Sequence, residues 1–466
     1  MTAIFCPPPL QQDRSQLQAF LASCQQRSRG HRRRFIASFS LPLGAIDPLA
    51  ALQALATPQS RYFYWEHPIR REAEAALDVA LELSSPEDNR NKNGGSRFTR
   101  AQQFVKDAMV RLHCDPISGA AARVRFYHCF SFFETSAHFP SASIVLPRWQ
   151  ISRRQGRSWL TANLPIDPND NLETLWASVI AFLDALAELP ASAISLVNPP
   201  QFAQGGLASF TTAVVAALQA IEARSLQKVV LAHSLEARAA EPFDPARALA
   251  YLRQHHPRCY TFAVGTGSGQ TFVGASPERL IALQGRQVVC DALAGSVRRG
   301  RTAAEDTALA GQLLASNKER REHQAVRGFL CDRLQQLGLQ PQVTGTRLLQ
   351  LANIQHLWTP IRAEVPEGLH LLDLVAWLHP TPAVAGLPAN TACDYIRHWE
   401  PFDRGPYAAP IGWLDTQGNG EFVVGIRSAL LDGTRARLYA GAGIVAGSTP
   451  ERECAEVELK LQAMLK

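Results

Sequence analysis

The chain has 466 residues, 46% of them hydrophobic, and a formal charge of +6. That length suffices for two or three ordinary domains or one unusually large one, with ample apolar material for a core. No segment approaches the roughly 18 consecutive apolar residues of a membrane-spanning helix. The leading CPPPLQQDRSQ is expected not to be a secretion signal, and nine scattered cysteines without a CxxC pair argue for reduced thiols, a cytoplasmic setting and no zinc site.

In chain order, RSRGHRRR from Arg27 to Arg34 runs into the apolar FIASFSL and reads as a solvated strand edge. No nucleic-acid signature accompanies it, so neither a nucleic acid nor a membrane is expected as partner. The polar stretch from Ser84 to Arg97 and the NPPQFAQGG segment from Asn198 are the expected surface breaks. FTTAVVAALQAIEAR predicts a helix, whereas KVVLAHSLEARA, YTFAVGT, QTFVGAS, RLIAL and QVVCDALAG predict short strands joined by turns, as in antiparallel sheet. Gly265, Gly267 and Gly269 imitate part of a dinucleotide fingerprint, but a strand follows where a helix is required, which predicts a hairpin turn. One long helix is predicted from about Thr302 to Leu337. NIQHLWTPIRAEV, PIGWLDTQGNGEFVVGIRSALLDG and RLYAGAGIV return to strand character, with QGNG and LDGT as hairpin turns. Strands and helices in blocks indicate an α+β fold. No coiled coil or long apolar edge is evident, and a monomer is expected.

The densest chemistry lies in YAGAGIVAGSTPERECAEVELK, from Tyr439 to Lys460. Glu453 and Glu456 are three apart and Glu456 and Lys460 four apart, so on a helix they share a face. A divalent cation would relieve the repulsion between two such carboxylates. The same spacing also describes an amphipathic helix with solvated charges, whose Val457, Leu461 and Leu465 pack inward. In NKERREHQAV, Glu319 and Glu322 share a face and His323 is one turn from Glu319. If the two helices are neighbours, Glu322 and Glu456 make a hard-oxygen site suited to magnesium rather than calcium or zinc; otherwise the segment is a salt-bridged helix face. Lys228 opens a strand, Glu278 stands in a Ser-Pro-Glu-Arg turn, and Arg427 interrupts the apolar VVGIRSAL. A buried guanidinium requires an anionic partner, and its planar fork matches a carboxylate.

The ordered segments KVVLA, FVGASPERL, ALAGSVRRG, KERREH, NIQHLWT, HPTPAVAG, GPYAAPIGW, VGIRSALL and GAGIVAGSTPERECAE resemble the motifs of the chorismate-utilising enzymes. That family includes isochorismate, anthranilate, salicylate and aminodeoxychorismate synthases. YFYWEHP at Tyr62 and VLPRWQ at Val145 resemble, more weakly, the N-terminal half of the isochorismate synthases of menaquinone or phylloquinone synthesis. The chain accordingly divides into residues 1–205, of weaker likeness, and a chorismate-binding catalytic region, 206–466. The resemblance implies one structural domain, a sandwich of antiparallel β-sheets flanked by helices.

It also implies Mg²⁺ held by Glu322 and Glu456, with Glu319 and Glu453 as neighbours. Arg427, Tyr407, Lys460 and backbone amides around Gly443 would bind the carboxylates of chorismate, with Gly295, Ser296, His356 and Ala383 completing the substrate pocket. Lys228 resembles the general base that activates water in isochorismate and salicylate synthases, where ammonia-using anthranilate synthases have glutamine; Glu278 would protonate the leaving hydroxyl. Those roles require a neutral amine and a protonated carboxyl, which burial favours in both cases. Ala294 stands where aminodeoxychorismate synthases carry a nucleophilic lysine. Ala383 replaces the threonine of members that go on to eliminate pyruvate. The implied activity is isochorismate synthase, with salicylate synthase or a non-catalytic chorismate-binding paralogue as alternatives. His233 and Cys454 depart from the usual arginine and tryptophan of the family's motifs, and loosened packing beneath Glu456 is the expected effect of the latter.

Overall fold

Runs of β-branched and aromatic residues bounded by turn formers become strands, and the computed structural model describes residues 10–85, 96–115, 124–136, 138–189, 201–202 and 206–465. Pairing is antiparallel throughout these residues except between Phe35–Leu43 and Leu112–Cys114. Strands Glu72–Ser85 and Ala142–Arg154 pair along their lengths and each serves two sheets. From residues 72–77 one sheet runs through Arg61–His67, Tyr260–Thr266, Gln270–Ser276, Ser428–Asp432 and Arg435–Val445 to Lys228–Arg238. From residues 142–145 the other runs through Arg125–Phe130, Pro410–Asp415, Gly420–Val424, Arg279–Gln284 and Gln287–Arg298 to Ile354–Glu364. The strand bends between them at a bulge next to Asp78, whose φ is 56°.

The two sheets face each other. Phe63 of one and Tyr127 of the other have ring centroids 4.6 Å apart, and Tyr260 donates to Glu421 across the gap at 2.6 Å. One continuous apolar cluster reaches from Leu17 to Leu461. Strands from before residue 205 pair with strands from after it in both sheets. The fold is the α+β sandwich that the resemblance implied. No helix among the described residues is long and apolar enough to cross a membrane.

The glycine string is a hairpin: Tyr260–Thr266 and Gln270–Ser276 pair, with Gly267 and Gly269 at positive φ. Three expectations need correction. The arginine cluster is no strand edge; Arg27 to His31 end the helix Leu10–His31, and Arg32 turns the chain with a φ of 49°. The long helix is two, Ala303–Ala315 and Asn317–Gln336, because Ser316 leaves the helical conformation (ψ 116°) and offers its hydroxyl to Glu319 N–H. Arg427 is not within a strand but between two, Gly420–Val424 and Ser428–Asp432, which belong to opposite sheets. Most of the expected breaks at Ser84–Arg97 and Asn198, together with residues 1–9, lie outside the described residues.

Beneath the Lys228 strand, Arg404 and Glu400 form a fully buried ion pair, their side chains 1% and 2% exposed. Arg404 also donates to the carbonyls of Val230 and Val384, and Glu400 accepts from Ala232 N–H, so the pair satisfies backbone that the ladder leaves open. Replacing Glu400 with alanine leaves a buried cation and an orphaned amide; a loss of about 3–5 kcal/mol in urea unfolding is expected.

Candidate functional site

Lys228 is buried at 2% exposure, although lysines at strand starts are ordinarily solvated. Its strand lies between Arg435–Val445 and the short Gly386–Leu387, and its Nζ donates to Glu322 Oε1 at 2.8 Å. Gly443 makes the room: a Cβ there would sit 2.8 Å from that oxygen and 3.1 Å from Lys228 Cε. In the ladder Gly443 faces Val230, whose N–H turns away to Ala385 O. The N–H groups of Gly443 and Gly441 therefore point to the opposite, open edge of their strand.

The break at Ser316 aims the second helix at strand Gln287–Arg298. His323, kept neutral chiefly by burial, locks it there through a 2.7 Å hydrogen bond between Nε2 and Thr359 Oγ1. Gly295 bulges at a φ of 77° and lets helix and strand approach so closely that a Cβ would lie 3.1 Å from Glu319 O. Ser296 then joins this helix to the C-terminal one, Pro450–Leu465: its N–H donates to Glu319 Oε2 (3.1 Å) and its hydroxyl to Glu456 Oε1 (3.3 Å).

The structure thus brings Glu319, Glu322 and Glu456 into one another's fields. Burial, then the charges of Glu322 and Glu456, raises the proton affinity of Glu319. Burial opposes ionisation of Glu456 too, but Lys460, Lys318 and the Ser296 hydroxyl outweigh it and hold its carboxylate below the ordinary value. Each carboxylate has a cation: Lys228 on Glu322, Lys460 on Glu456, Arg452 on Glu319 and Lys318 on the buried Glu453. Among the described residues no three His, Cys, Asp or Glu side chains already converge as a ligand set. Nothing described hydrogen-bonds Oε2 of Glu322 or Glu456, however, and clustered hard carboxylate oxygens fit a small divalent cation once those side chains turn from their lysines.

Beside the carboxylates is a pocket lined by Val230, Ala383, Tyr407, Arg427, Gly441 and Lys460. Arg427 has a left-handed backbone (φ 50°) and its carbonyl accepts from Ala275 N–H, a strained pose that turns its side chain into the protein. Its Nη2 donates to His356 Nε2 at 2.9 Å, while Nη1 is buried without a partner among the described residues. Burial, reinforced by Arg427 and Lys460, keeps His356 neutral, and Gly295 O accepts its other proton. An uncompensated guanidinium in a pocket with Lys460 is a receptor for an anion. Tyr407 stacks on Tyr439 at 5.0 Å and closes one wall.

Glu278 sits between strands Gln270–Ser276 and Arg279–Gln284, its N–H on Ser276 Oγ and its C=O accepting from Val424 N–H. Burial pushes its carboxyl up to about 8, Asp291 adding to the effect and Lys228 and Lys460 opposing it, so at neutral pH it carries a proton. All the residues expected from the sequence therefore gather around the carboxylate cluster and its pocket. Sequence reasoning missed Arg452, Lys318, Asp291 and the Glu400–Arg404 pair; only the i, i+4 spacing of the last two was a local signal. Cys454 contacts Thr211 of helix Ala208–Glu222 (3.4 Å), and His233 meets the edge of Phe210.

A family model described as chorismate binding enzyme matches residues 19–466. The salicylate biosynthesis isochorismate synthase of Pseudomonas aeruginosa is 35% identical over 445 residues, covering 93% of this chain and 90% of that protein. The isochorismate synthase MenF of Bacillus subtilis is 31% identical over 453 residues, covering 92% of each. Among solved structures, MenF, the menaquinone-specific isochorismate synthase of Escherichia coli, superposes with a TM-score of 0.77 at 26% identity, over 96% of this chain and 100% of that one. With a match over nearly its whole length, the chain belongs to the chorismate-binding enzyme family.

A methyl group at Gly443 meets first the ends of the Lys228 and Glu322 side chains. Gly443→Ala is therefore expected to displace that buried pair, lowering turnover by about tenfold or more and the melting temperature with it; steady-state kinetics beside thermal melts checks it.

Proposed function

We propose that this protein is an isochorismate synthase, adding water at C2 of chorismate while expelling the C4 hydroxyl. The observation that carries the reading is a buried lysine within the electrostatic reach of a buried carboxyl that keeps its proton, near an anion pocket. Relatives named as isochorismate synthases and matched over nine-tenths of both chains support it.

Arg427 Nη1, Lys460 and the outward N–H groups at Gly441 and Gly443 would hold the substrate carboxylates, with Tyr407 and Ala383 shaping the wall. His356, neutral and fixed between Arg427 and Gly295 O, orients the guanidinium. Lys228 would take a proton from the attacking water, and Glu278 would give one to the departing hydroxyl, so the net change is an isomerisation. Mg²⁺, held by Glu322 and Glu456 with Glu319 and Glu453 beside them, would offset the substrate's negative charge as it grows in the transition state.

Menaquinone synthesis is the proposed destination, supported by the MenF relatives. A cytoplasmic monomer remains the proposed state, and the eight described cysteines, all free thiols, agree with a reducing compartment.

Purified protein with chorismate and Mg²⁺ is expected to yield isochorismate without pyruvate by chromatography, and chelation should stop turnover; salicylate plus pyruvate would overturn the synthase reading. Lys228→Ala should lose 10²–10⁴-fold in kcat, on the order expected of a general base, with chorismate binding retained; undetectable wild-type turnover with intact binding would favour the non-catalytic alternative. Because Glu278 acts as acid only while protonated and its carboxyl titrates at about 8, kcat/KM should fall as pH rises through that value. A flat profile from pH 7 to 9.5 would remove Glu278 from the acid role.

A further inference from the structure

The two helices that supply the clustered carboxylates are anchored to opposite sheets. Asn317–Gln336 is fastened to strand Ile354–Glu364 through His323 and Thr359, whereas Pro450–Leu465 is tied to strand Arg435–Val445 by Lys460, which donates to Gly441 O at 2.7 Å. Each helix carries an adjacent cation and acid in its first turn, Lys318 and Glu319 in one, Arg452 and Glu453 in the other. They pair crosswise. Lys318 Nζ lies 3.1 Å from Glu453 Oε1, and Arg452 Nη2 lies 2.8 Å from Glu319 Oε1.

The crossed pairs divide the four glutamates into two kinds. Glu319 has both oxygens occupied, Oε1 by Arg452 and Oε2 by the Ser296 N–H, and the Glu453 side chain, 1% exposed, is held at Lys318. Glu322 and Glu456 are more open, at 14% and 24%, and each has an Oε2 to which no described residue donates. Their lysines, Lys228 and Lys460, have other tasks in the reaction; Lys318 and Arg452 have none in the mechanism above. A divalent ion entering this site therefore meets two uncommitted carboxylates instead of four. Few carboxylates with room for retained water suit Mg²⁺, whereas Ca²⁺ gains from further oxygens, taking roughly six to eight.

We propose that Arg452 and Lys318 are positioning residues that set the ion selectivity of the site: by holding Glu319 and Glu453 out of the ligand set they confine it to Glu322 and Glu456, which favours Mg²⁺ over Ca²⁺. The inference rests on the reading of Glu322 and Glu456 as the metal ligands.

The test is titration of the substrate-free protein with Mn²⁺, a spectroscopic substitute for Mg²⁺, counting the free ion by electron paramagnetic resonance and then competing it with Mg²⁺ or Ca²⁺. Arg452 has a side chain 53% exposed, so Arg452→Met leaves the core intact while releasing Glu319 Oε1. Mn²⁺ is expected to bind this variant about tenfold more tightly or better, with Ca²⁺ gaining more than Mg²⁺ in competition. Arg452→Lys, which keeps the charge, should stay close to wild type, and Glu319→Gln added to Arg452→Met should abolish the gain. A merely structural role would lower the melting temperature without moving the binding constants. Lys318→Met should act in the same direction through Glu453; where that variant fails to fold, the Arg452 series decides. Unchanged or weaker Mn²⁺ binding by Arg452→Met, or a gain that survives Glu319→Gln and so comes from distant charge alone, overturns the proposal. Should Glu322→Gln and Glu456→Gln bind Mn²⁺ as wild type does, the ligand reading itself fails and the proposal falls with it.

Discussion

The ion pair between Lys228 and Glu322 is the constraint around which the site is arranged. A lysine buried to 2% exposure needs a close anion, and that anion comes from a helix nearly a hundred residues further along the chain. Bringing the two together requires a bare Gly443 on the adjacent strand, a bulge at Gly295 that admits the helix, and a helix break at Ser316 that points it inward. Behind the strand, the Glu400–Arg404 pair satisfies backbone groups of Val230 and Ala232 that the short neighbouring strands leave unpaired.

The same logic of alternating charge extends outward. Each of the four clustered glutamates has its own cation, so a concentration of negative charge that would otherwise resist burial is neutral as it stands. Two groups break the alternation. Among the described residues, Arg427 has a nitrogen without a partner and Glu278 a carboxyl without a donor. The first is ready for an anion, the second ready to give up a proton; unsatisfied buried groups of this kind are costly, and their presence side by side marks the site.

Much of the architecture was legible locally. Turn formers at Gly267, Gly269 and Gly433 delimit hairpins in the expected places, and strands from Lys228 to Arg238 and from Ile354 to Glu364 follow their β-branched runs. Where local reading failed, a single residue overrode a periodic pattern. Ser316 breaks a stretch whose apolar spacing is continuous, because its hydroxyl caps a new helix, and Arg427 departs from strand geometry inside an apolar run because the chain changes sheets there. The arginine cluster beginning at Arg27 looked like the prelude to a strand, yet the preceding helix runs on through its first half in spite of Gly30, a poor helix former.

By itself the sequence determined the donor groups and their chemistry: a lysine rather than glutamine at 228, acids at 278, 319, 322, 453 and 456, an arginine at 427, and alanines at 294 and 383. Those follow from residue identity, which folding does not alter. The tertiary structure alone decided which charge meets which, why Glu278 keeps its proton and why Arg427 does not find a full complement of partners. Pairing and proton affinity depend on burial and on neighbours tens to hundreds of residues away, and these exist only once the two sheets have closed on each other.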